Sequence, residues 1–548
     1  MGSLLPLFIA VALLAGAQMG LGRGAPELPW MVGPLMVWPA FAAQMARRAV
    51  RAGGLVSVRR WILVTEASGV AAYFVLIFGC DWLGSVRRWT GDPLLPESWP
   101  GLALGLALAP FIAFQLAAID ASVRAHGGTP VTQRHLRSFQ VRMFLAVVSP
   151  IAAFVLASAA IALLPWLRAQ VEHVGLVWTL FMVLFVGAMA LAFPRVVRWA
   201  WDTEPFPDGP RRELLDDVAC RAGFRPAALR IWRTGNLVAN ATIIGLTRRG
   251  RVVLFSDELL SVLNSRELSA VYAHEIGHAV RGHVGIFLAW TAGFFLIGDL
   301  AVARTLESAS LAAGLALGAG LVGLWFVTFG WLSRRFELEA DLFSFEIVRD
   351  LAALVSALER VGGADRARNG WRHFSVKRRV QFLGRAAADA RFVRGFRGRL
   401  RAMAGVGYTL AALGAVLQFA VLAENLPRDR AVAALSLGRY AAAERHLEGV
   451  VDEERADLVE LIEVGRAVDP ADPLETVLTR AIRDAGQPIA RTVVLARLAA
   501  LRGVPHADEV TEALREALEV EDISAAAAIA DDMDGPLGDA LRARAGSL

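Results

Sequence analysis

Long apolar runs dominate the pattern of hydrophobic and polar positions along this chain. A helix that crosses a bilayer needs about 20 predominantly apolar residues, and several runs reach that length with few internal charges. The pattern predicts nine membrane-spanning helices, at residues 4–20, 28–45, 61–83, 100–122, 143–166, 175–194, 285–305, 310–332 and 402–424. The first run could be mistaken for a signal peptide, but no basic residue precedes its apolar core and no convincing cleavage site precedes Arg23. We therefore interpret it as a retained helix.

A different pattern fills the interval between the sixth and seventh predicted spans. Residues 210–222 read as an amphipathic helix and residues 228–232 as a strand. Residues 239–246 and 251–255 are rich in β-forming side chains, and the turn from Thr247 to Gly250 between them predicts a hairpin. An exposed hairpin edge can bind an extended peptide through its main chain. An ordinary structural hairpin fits the same pattern equally well.

Composition supports a membrane protein. The chain has 548 residues, of which 55% are hydrophobic, and its mean hydropathy is +0.47. Its net charge of +5 is uneven, because residues 425–548 carry a net charge of about −10 and the rest about +15. The basic excess lies mostly in loops beside predicted spans, which accounts for it without nucleic acid. Cys80 and Cys220 are too few for a disulfide framework and suit no zinc-binding pattern.

The segment Tyr272–His278 contains the motif H-E-x-x-H, which carries the chemistry. On a helix, His274 and His278 lie one turn apart on one face and can aim two imidazoles at one Zn²⁺. Glu275 is close enough to hold a water on that metal and take its proton. Zinc lowers the pKa of such a water from about 15.7 to about 7. Gly277 and Ala273 are interpreted as leaving room for the metal and a peptide backbone. The motif therefore indicates a zinc peptidase.

A catalytic zinc usually has three protein ligands, and the downstream segment 333–341 offers carboxylates for the third. Glu337 and Asp341 are spaced i, i+4 and share a helix face, so one can bind zinc while the other accepts a proton from a ligand imidazole. Glu339 points away from that face. A solvated charged helix is the structural alternative. His283 fails the metzincin spacing and is a supporting residue or a polar helix end.

Four segments together resemble the integral-membrane zinc metallopeptidases of the CAAX prenyl protease and HtpX type, which are gluzincins. They are the sequence AHEIGH, the S-R-x-x-E-x-x-A-D pattern that begins at Ser333, the N-A-x-x-x-G pattern that begins at Asn240, and the segment that begins at His373. Phe374 stands where the last motif usually has proline. The resemblance covers about residues 200–385.

The resemblance implies roles for individual residues. It implies one Zn²⁺ per chain, with His274, His278 and Glu337 as ligands, Glu275 as the base and Asp341 as support for a ligand. Arg379 would be a polar partner near the cleft, and Arg379 and His373 are candidates for holding the oxyanion. Asn240, Ala241 and Gly245 belong to the strand along which substrate would lie.

The distribution of arginine predicts the orientation. Five arginines follow the second predicted span and four follow the fourth, whereas the loops after odd-numbered spans have fewer. Since positive loops stay in the cytoplasm, the N-terminus and both halves of the zinc site, residues 195–284 and 333–400, are expected on the cytoplasmic side of a bacterial inner membrane. The same parity places residues 425–548 outside.

The predicted fold is mainly α: a polytopic helical membrane protein with a zincin-like α+β metallopeptidase domain and a helical C-terminal domain. Residues 437–443 resemble a fragment of a tetratricopeptide repeat, so the tail is either a repeat-like domain for a protein partner or a set of plain amphipathic helices. The predicted domains are N-terminal membrane helices (1–194), a peptidase domain (195–400) interrupted by a membrane hairpin (285–332), a final span (401–424) and the alanine-rich tail (425–548).

The predicted function is zinc-dependent hydrolysis of membrane proteins or membrane-associated peptides, in quality control or processing. A transporter is the rival prediction, because Glu66, Asp120 and Asp299 fall within spans, where a lipid-facing carboxylate is costly. A water-filled chamber would accommodate them equally well. A non-catalytic scaffold that acts through residues 425–548 is a third possibility.

Overall fold

The computed structural model consists of helices with one small sheet. It describes residues 10, 13, 33–52, 55–90, 100–126, 130–235, 238–245, 247, 250–362, 370–371, 374–469, 471–484, 487–504, 506–520, 533 and 535–545. Two compact units divide the chain, one made of Met1–Phe185 with Leu422–Leu548 and the other of Val186–Val421.

Helices of the first part of the chain follow the apolar runs. A π-helical turn, Gly33–Val37, leads into α1, and a second, Val75–Gly79, follows α2. The helices are α1 Trp38–Ala52, α2 Leu55–Phe74, α3 Trp82–Thr90, α4 Pro100–His126, α5 Pro130–Ala162, α6 Pro165–His173 and α7 Gly175–Ala200.

The second unit carries the sheet and the helices that surround it. The strands are β1 Thr203–Pro205, β2 Ala228–Trp232, β3 Ala241–Ile244 and β4 Val252–Ser256. The helices are α8 Pro210–Arg221, α9 Asp257–Val262, α10 Ser265–Val280, α11 His283–Ser308, α12 Leu311–Val348, α13 Leu351–Gly362, α14 Val376–Ala388 and α15 Ala390–Ser436, the last of which runs on into the first unit.

The C-terminal part is helical, as predicted. Its helices are α16 Tyr440–Arg445, α17 Asp452–Ala467, α18 Leu474–Arg483, α19 Ile489–Leu501, α20 Ala507–Val520 and α21 Pro536–Ala545, with a 3₁₀ turn at Leu447–Gly449. Alanine and leucine fill two buried clusters, one around Leu435 and Leu461 and one around Leu478 and Leu514. Helix α16 follows Gly438, whose φ is +67°, and has only six residues. The repeat-like domain stays a prediction.

Seven helices in the described part of the chain are long and apolar enough to cross a membrane, and they correspond to the third to ninth predicted spans. The predicted span 4–20 lies outside the described residues, apart from residues 10 and 13. The described part of the predicted span 28–45 is not among the seven. Helix α1 has only 15 residues and carries arginine at three positions, so it is too short and too polar.

Helices α12 and α15 are longer than the apolar runs that predicted them. Helix α12 has 38 residues and continues from the predicted span 310–332 through Glu337 and Asp341 without a break. At 1.5 Å per residue it is about 57 Å long, against a hydrocarbon core of about 30 Å. Its second half therefore projects beyond a bilayer and carries carboxylates that the membrane would exclude.

The four-stranded sheet has the order β1-β2-β4-β3. Strands β3 and β4 form the predicted antiparallel hairpin, with Ala241 opposite Phe255. Strand β2 pairs with β4 in parallel and with β1 antiparallel. The sequence did not predict β1, which has only three residues and ends in Pro205. Strand β3 lies at the edge of the sheet, as the peptide-binding interpretation requires.

Two of the three carboxylates predicted within spans, Asp120 and Asp299, have protein partners. Asp299 on α11 accepts a hydrogen bond of 2.8 Å from the side-chain amide of Gln418 on α15. Asp120 on α4 pairs with Arg124 and Arg137, and Glu66 is half-buried. Internal pairing lowers the cost of these groups in a membrane, so Asp120 and Asp299 need no water-filled chamber to explain them.

Small residues let α11 and α15 approach closely. A Cβ at Gly293 would lie 2.7 Å from the Cβ of Leu410 and 2.8 Å from the main-chain nitrogen of Ala411. Gly414 meets Leu296 at 2.8 Å in the same way. Close approach through glycine is typical of helix pairs in membranes, so this contact holds α15 against α11, the first helix of the membrane hairpin.

The variant Gly293→Val is expected to lower the stability of the protein by about 1–3 kcal/mol, because the added atoms would collide with main-chain atoms of α15. Gly323→Val is the matched control, since no atom lies within 4 Å of a Cβ at Gly323. Thermal unfolding of both variants in one detergent measures the difference. Equal melting temperatures would contradict the close contact.

Candidate metal centre

The helix that carries the H-E-x-x-H motif has a well-defined start. The Asn264 side chain accepts hydrogen bonds of 3.0 Å from the main-chain N–H groups of Arg266 and Glu267, and the Glu267 carboxylate accepts one of 2.9 Å from the N–H of Asn264. This capping box stabilises the helix by about 1 kcal/mol. Glu267 also accepts a hydrogen bond from Ser356 on α13. The start of α10 is therefore fixed by local and tertiary contacts.

Helix α10 packs tightly on α12 at the level of the site. A Cβ at Gly277 would lie 3.2 Å from the Cα of Ala340 and 3.2 Å from the Cβ of Phe343. Ala273 is fully buried in the core. The interpretation that these small residues leave room for a peptide is therefore wrong, because α12 and the core occupy that space. Their size instead permits the two helices to approach.

This packing brings the three predicted ligands together. The Nε2 atoms of His274 and His278 are 3.3 Å apart. Carboxylate oxygens of Glu337 lie 3.7 Å from Nε2 of His274 and 3.6 Å from Nε2 of His278. One donor atom from each residue falls within 4.8 Å of the other two. His274 and Glu337 are buried, and His278 is half-buried.

The donor set fits zinc in kind and in spacing. Two histidines and a glutamate, with a further open position, form one of the common catalytic zinc sites. Two donors bonded to a tetrahedral zinc at about 2.0–2.1 Å are separated by about 3.3 Å. The observed separations of 3.3–3.7 Å agree with that value to within a few tenths of an ångström.

A buried chain of hydrogen bonds holds His274. Its Nδ1 donates to Oδ1 of Asp341 over 2.9 Å, which leaves Nε2 to face the ligand cluster. Asp341 is fully buried and also accepts two hydrogen bonds from Arg379, at 2.7 and 2.5 Å. Such support orients a ligand imidazole and makes it more basic. Asp341 therefore lies between His274 and Arg379 and bonds to both, while its role as support for a zinc ligand stays a prediction.

The two imidazoles have opposite electrostatic surroundings. Burial alone would lower the pKa of His274, but the hydrogen bond and charge of Asp341, with the charge of Glu337, raise it. Burial, followed by the positive field of His274, lowers the pKa of His278 to about 4. His278 is therefore neutral at physiological pH, so its Nε2 lone pair is available to a cation.

His283 supports His278 rather than forming a plain helix end. The Nδ1 atoms of the two rings share a hydrogen bond of 2.9 Å. The His283 ring stacks on Phe336 with centroids 4.2 Å apart and an angle of 4° between the planes. His283 on α11 and Phe336 on α12, the residue before Glu337, therefore fix the orientation of the His278 imidazole together. The spacing of His283 in the sequence left this open, and no sequence signal identified Phe336.

Glu275 and Arg379 lie beside the ligand cluster. Glu275 is half-buried on α10, next to His274 in the chain. Burial opposes the charge on Arg379, but Asp341, Glu337 and Glu275 outweigh it and raise the pKa of the guanidinium. Nη2 of Arg379 is 3.8 Å from the Glu337 carboxylate. Because Nε and Nη2 already donate to Asp341, the geometry favours Arg379 as a positioning residue over an oxyanion ligand.

The residues predicted to contact substrate differ from one another in their surroundings. Asn240 lies at the start of β3, where its carbonyl accepts a hydrogen bond of 2.9 Å from Ser256. The Ala241 side chain is buried in the core. Gly245 has a φ of +110°, and a Cβ there would lie 2.4 Å from the carbonyl oxygen of Gly250, so this turn requires glycine. His373 lies outside the described residues.

Glu339 is turned away from the ligands, as predicted, but it is buried rather than solvated. It pairs with Arg281 at 3.2 Å and with Arg397 at 3.1 Å. Glu346, two turns further along α12, pairs with Arg397 at 2.7 Å. This cluster ties α12 to the end of α10 and to α15. Its partners are distant in sequence, so no local pattern predicted it.

Part of this chain is similar in sequence to known peptidases. Residues 207–387 match peptidase family M48. "Protease HtpX homolog" of Bordetella pertussis is 27% identical over 259 residues, which cover 41% of this chain and 85% of that protein. A protein of the same name from Methylacidiphilum infernorum is 28% identical over 252 residues, 40% of this chain and 82% of its own.

More distant likenesses include a plant protein and a solved structure. "CAAX prenyl protease 1 homolog" of Arabidopsis thaliana is 25% identical over 185 residues, which cover 30% of this chain and 44% of that protein. The crystal structure of S. mikatae Ste24p is 14% identical and covers 69% of this chain and 96% of its own, with a TM-score of 0.45.

We expect Asp341→Asn to weaken zinc binding about 10–100-fold, because His274 would lose the carboxylate that fixes its tautomer. It should also lower the stability of the metal-free protein, since Arg379 would keep its buried charge without a full counter-charge. Competition with a chromophoric chelator and thermal unfolding measure the two effects. Asp216→Asn, which removes an exposed pair with Arg212, is the control. Unchanged zinc affinity in Asp341→Asn would refute the supporting role.

Proposed function

The chain is a membrane member of peptidase family M48, and on that premise we propose that it is a zinc-dependent endopeptidase that cleaves membrane proteins or membrane-associated peptides. One observation carries the proposal: His274, His278 and Glu337 converge from two helices with the spacing of a single zinc site. Glu275 is the base that belongs to this constellation. We further propose one zinc ion per chain.

The residues around the site have different roles in the proposed hydrolysis. Zinc would supply a Lewis acid for the scissile carbonyl and for the attacking water. Glu275 takes the proton from that water and passes it to the leaving amine. Asp341 and Arg379 hold His274, and His283 and Phe336 hold His278. The tight contact between α10 and α12 keeps Glu337 opposite both imidazoles.

Strand β3 is suited to hold an extended substrate. Ser256 donates to Asn240, and Ala241 pairs with Phe255 and Ile243 with Val253. Because hydrogen-bonded and non-hydrogen-bonded pairs alternate in an antiparallel ladder, the N–H and C=O groups of Ala241 and Ile243 point away from β4 to the open edge. A substrate strand would use those groups, and side-chain selectivity would be low.

The hairpin of α11 and α12 supports the proposal that both halves of the site lie on the same side of the membrane. His278 lies just before α11, and Glu337 lies beyond the apolar part of α12, so two crossings return the chain to the same side. This holds whether seven or nine spans exist in total. The arginine-rich loops after the second and fourth predicted spans support a cytoplasmic site in a bacterial inner membrane.

The surroundings of the site support the proposed substrate class. A site at the membrane face suits damaged or surplus membrane proteins, and two relatives bear the name of the protease HtpX. Processing of lipid-linked peptides is the variant favoured by the relative named as a CAAX prenyl protease homolog. A transporter remains the rival from another class, and it gives no reason for the zinc-site spacing.

Glu275→Gln is expected to abolish cleavage of casein or of a membrane-protein substrate while zinc stays bound, because the amide cannot accept the proton of the attacking water. Glu213→Gln, an exposed substitution on α8 of the same unit, should cleave like the wild type. Metal content and cleavage are measured on the same purified samples. Cleavage by Glu275→Gln at the wild-type rate would remove Glu275 from the mechanism.

Ile243→Pro is expected to lower kcat/KM for an extended peptide about five- to tenfold more than Ile243→Ala. Both variants lose the isoleucine side chain, but only proline also removes the N–H that faces the open edge, and one hydrogen bond of this kind is worth about 0.5–1.5 kcal/mol. The ladder to β4 does not use that N–H. Peptide kinetics with both variants test the point, and equal losses would argue against substrate binding along β3.

A further inference from the structure

A basic and aromatic cavity lies beside α12, the helix that carries Glu337 of the metal centre. It has a volume of about 400 Å³ and is formed within the second unit by α12, α14 and α15. Arg335, Arg378, Arg385 and Arg399 contribute its charge. Phenylalanine side chains, among them Phe374 and Phe392, form its apolar surface. The predicted function uses none of these groups.

The charge in this cavity is not neutralised by the part of the chain that the structure describes. Arg335 donates to the carbonyl of Trp331 and lies over its ring. Arg378 lies over Phe374 and Arg385 over Phe392, at 4.1 and 4.5 Å from the ring centroids. In the described residues none of the four arginines forms an ion pair, whereas Arg281 and Arg397 nearby pair with Glu339 and Glu346.

An acidic residue at the start of α15, Asp389, already has hydrogen-bond partners. The Asp389 carboxylate accepts hydrogen bonds from the main-chain N–H groups of Arg391, at 2.8 Å, and Phe392, at 3.1 Å. It therefore caps the helix. Four guanidinium groups of like charge line one cavity, so the cavity is complementary in charge to an anionic ligand.

The position of the cavity along the helices corresponds to the surface of a membrane. Residues 311–333 of α12 contain no charged side chain, and Arg334 and Arg335 follow immediately. Residues 402–423 of α15 are likewise uncharged and are preceded by Arg401. Trp331 lies near the end of the uncharged stretch of α12, and tryptophan is common at the interface between membrane and water. The cavity therefore lies at the depth of lipid headgroups, on the membrane face of the metal centre.

We propose that this cavity binds the phosphate headgroup of an anionic phospholipid. Guanidinium groups match phosphate in charge and in hydrogen-bond geometry, and basic pockets at helix ends on the cytoplasmic side are typical lipid sites. The phenylalanine surface accommodates the glycerol and the first methylenes of the acyl chains. A soluble phosphate would leave that surface unused, which is why the bilayer is the source we infer.

Occupancy of this site would act on the metal centre through neighbouring residues. Arg378, in the cavity, precedes Arg379, which holds Asp341. Leu338, also in the cavity, follows Glu337. A bound headgroup would bridge α12, α14 and α15 at this point. The binding claim itself does not depend on the proposed peptidase activity, because it concerns ligand affinity and can be measured without a substrate.

The test compares the full-length protein with two triple variants in a neutral detergent. Arg378→Gln, Arg385→Gln and Arg399→Gln together remove three cavity charges. Arg391→Gln, Arg394→Gln and Arg401→Gln together remove three exposed charges from the adjoining α15, outside the cavity. The rise in melting temperature is recorded against phosphatidylglycerol, phosphatidylcholine or inorganic phosphate, and an apparent affinity is derived from each titration.

We expect phosphatidylglycerol to stabilise the wild type and the control variant alike, and the cavity variant to bind it at least tenfold more weakly. An attraction of about fivefold per arginine near an anionic headgroup supports that magnitude. If the cavity variant already melts early without lipid, the single variant Arg385→Gln, at an exposed position, replaces it, with an expected loss of about fivefold. Equal effects of phosphatidylcholine, equal losses in the control variant, or full protection by inorganic phosphate would each overturn the proposal.

Discussion

Everything in this molecule that bears on chemistry depends on the contact between two helices, α10 and α12. His274 and His278 come from the first helix, and Glu337 comes from the second after two membrane crossings. Gly277 lies against Ala340 so closely that an added Cβ would be only 3.2 Å from its Cα. Without this close contact the carboxylate would not reach within 3.7 Å of both imidazoles. The membrane hairpin therefore connects the two halves of the site, and the contact of Gly277 with Ala340 determines the position of α12 relative to α10.

Buried charge around the site is arranged in compensated sets. Asp341, fully buried, is matched by Arg379 and by the N–H of His274. Glu339, also buried, is matched by Arg281 and Arg397. Breaking a buried pair costs several kcal/mol, so both sets also fix the register of α12 against its neighbours. The arginines of the cavity beside α12 form no ion pair with any residue that the structure describes, and this contrast with the two compensated sets is the reason to expect a ligand there.

The sequence predicted those features that depend on local spacing. The H-E-x-x-H helix, the i, i+4 carboxylates, the β3–β4 hairpin and seven apolar spans all follow from periods of two or 3.6 residues and from run length. The choice of Glu337 over Asp341 came from a family resemblance, because spacing alone left both open. The small strand β1, the parallel pairing of β2 with β4, and the true neighbours of Gly277 depend on tertiary contacts that no local pattern contains. The same holds for the stacking of His283 on Phe336.

The most direct measurement of the central claim is zinc X-ray absorption spectroscopy on the full-length, zinc-loaded protein. We expect two imidazole nitrogens and otherwise only oxygen donors, at about 2.0–2.1 Å from the metal, and the loss of one imidazole in His278→Ala. Sulfur scattering at about 2.3 Å, or a spectrum without imidazole, would contradict a site formed by His274, His278 and Glu337.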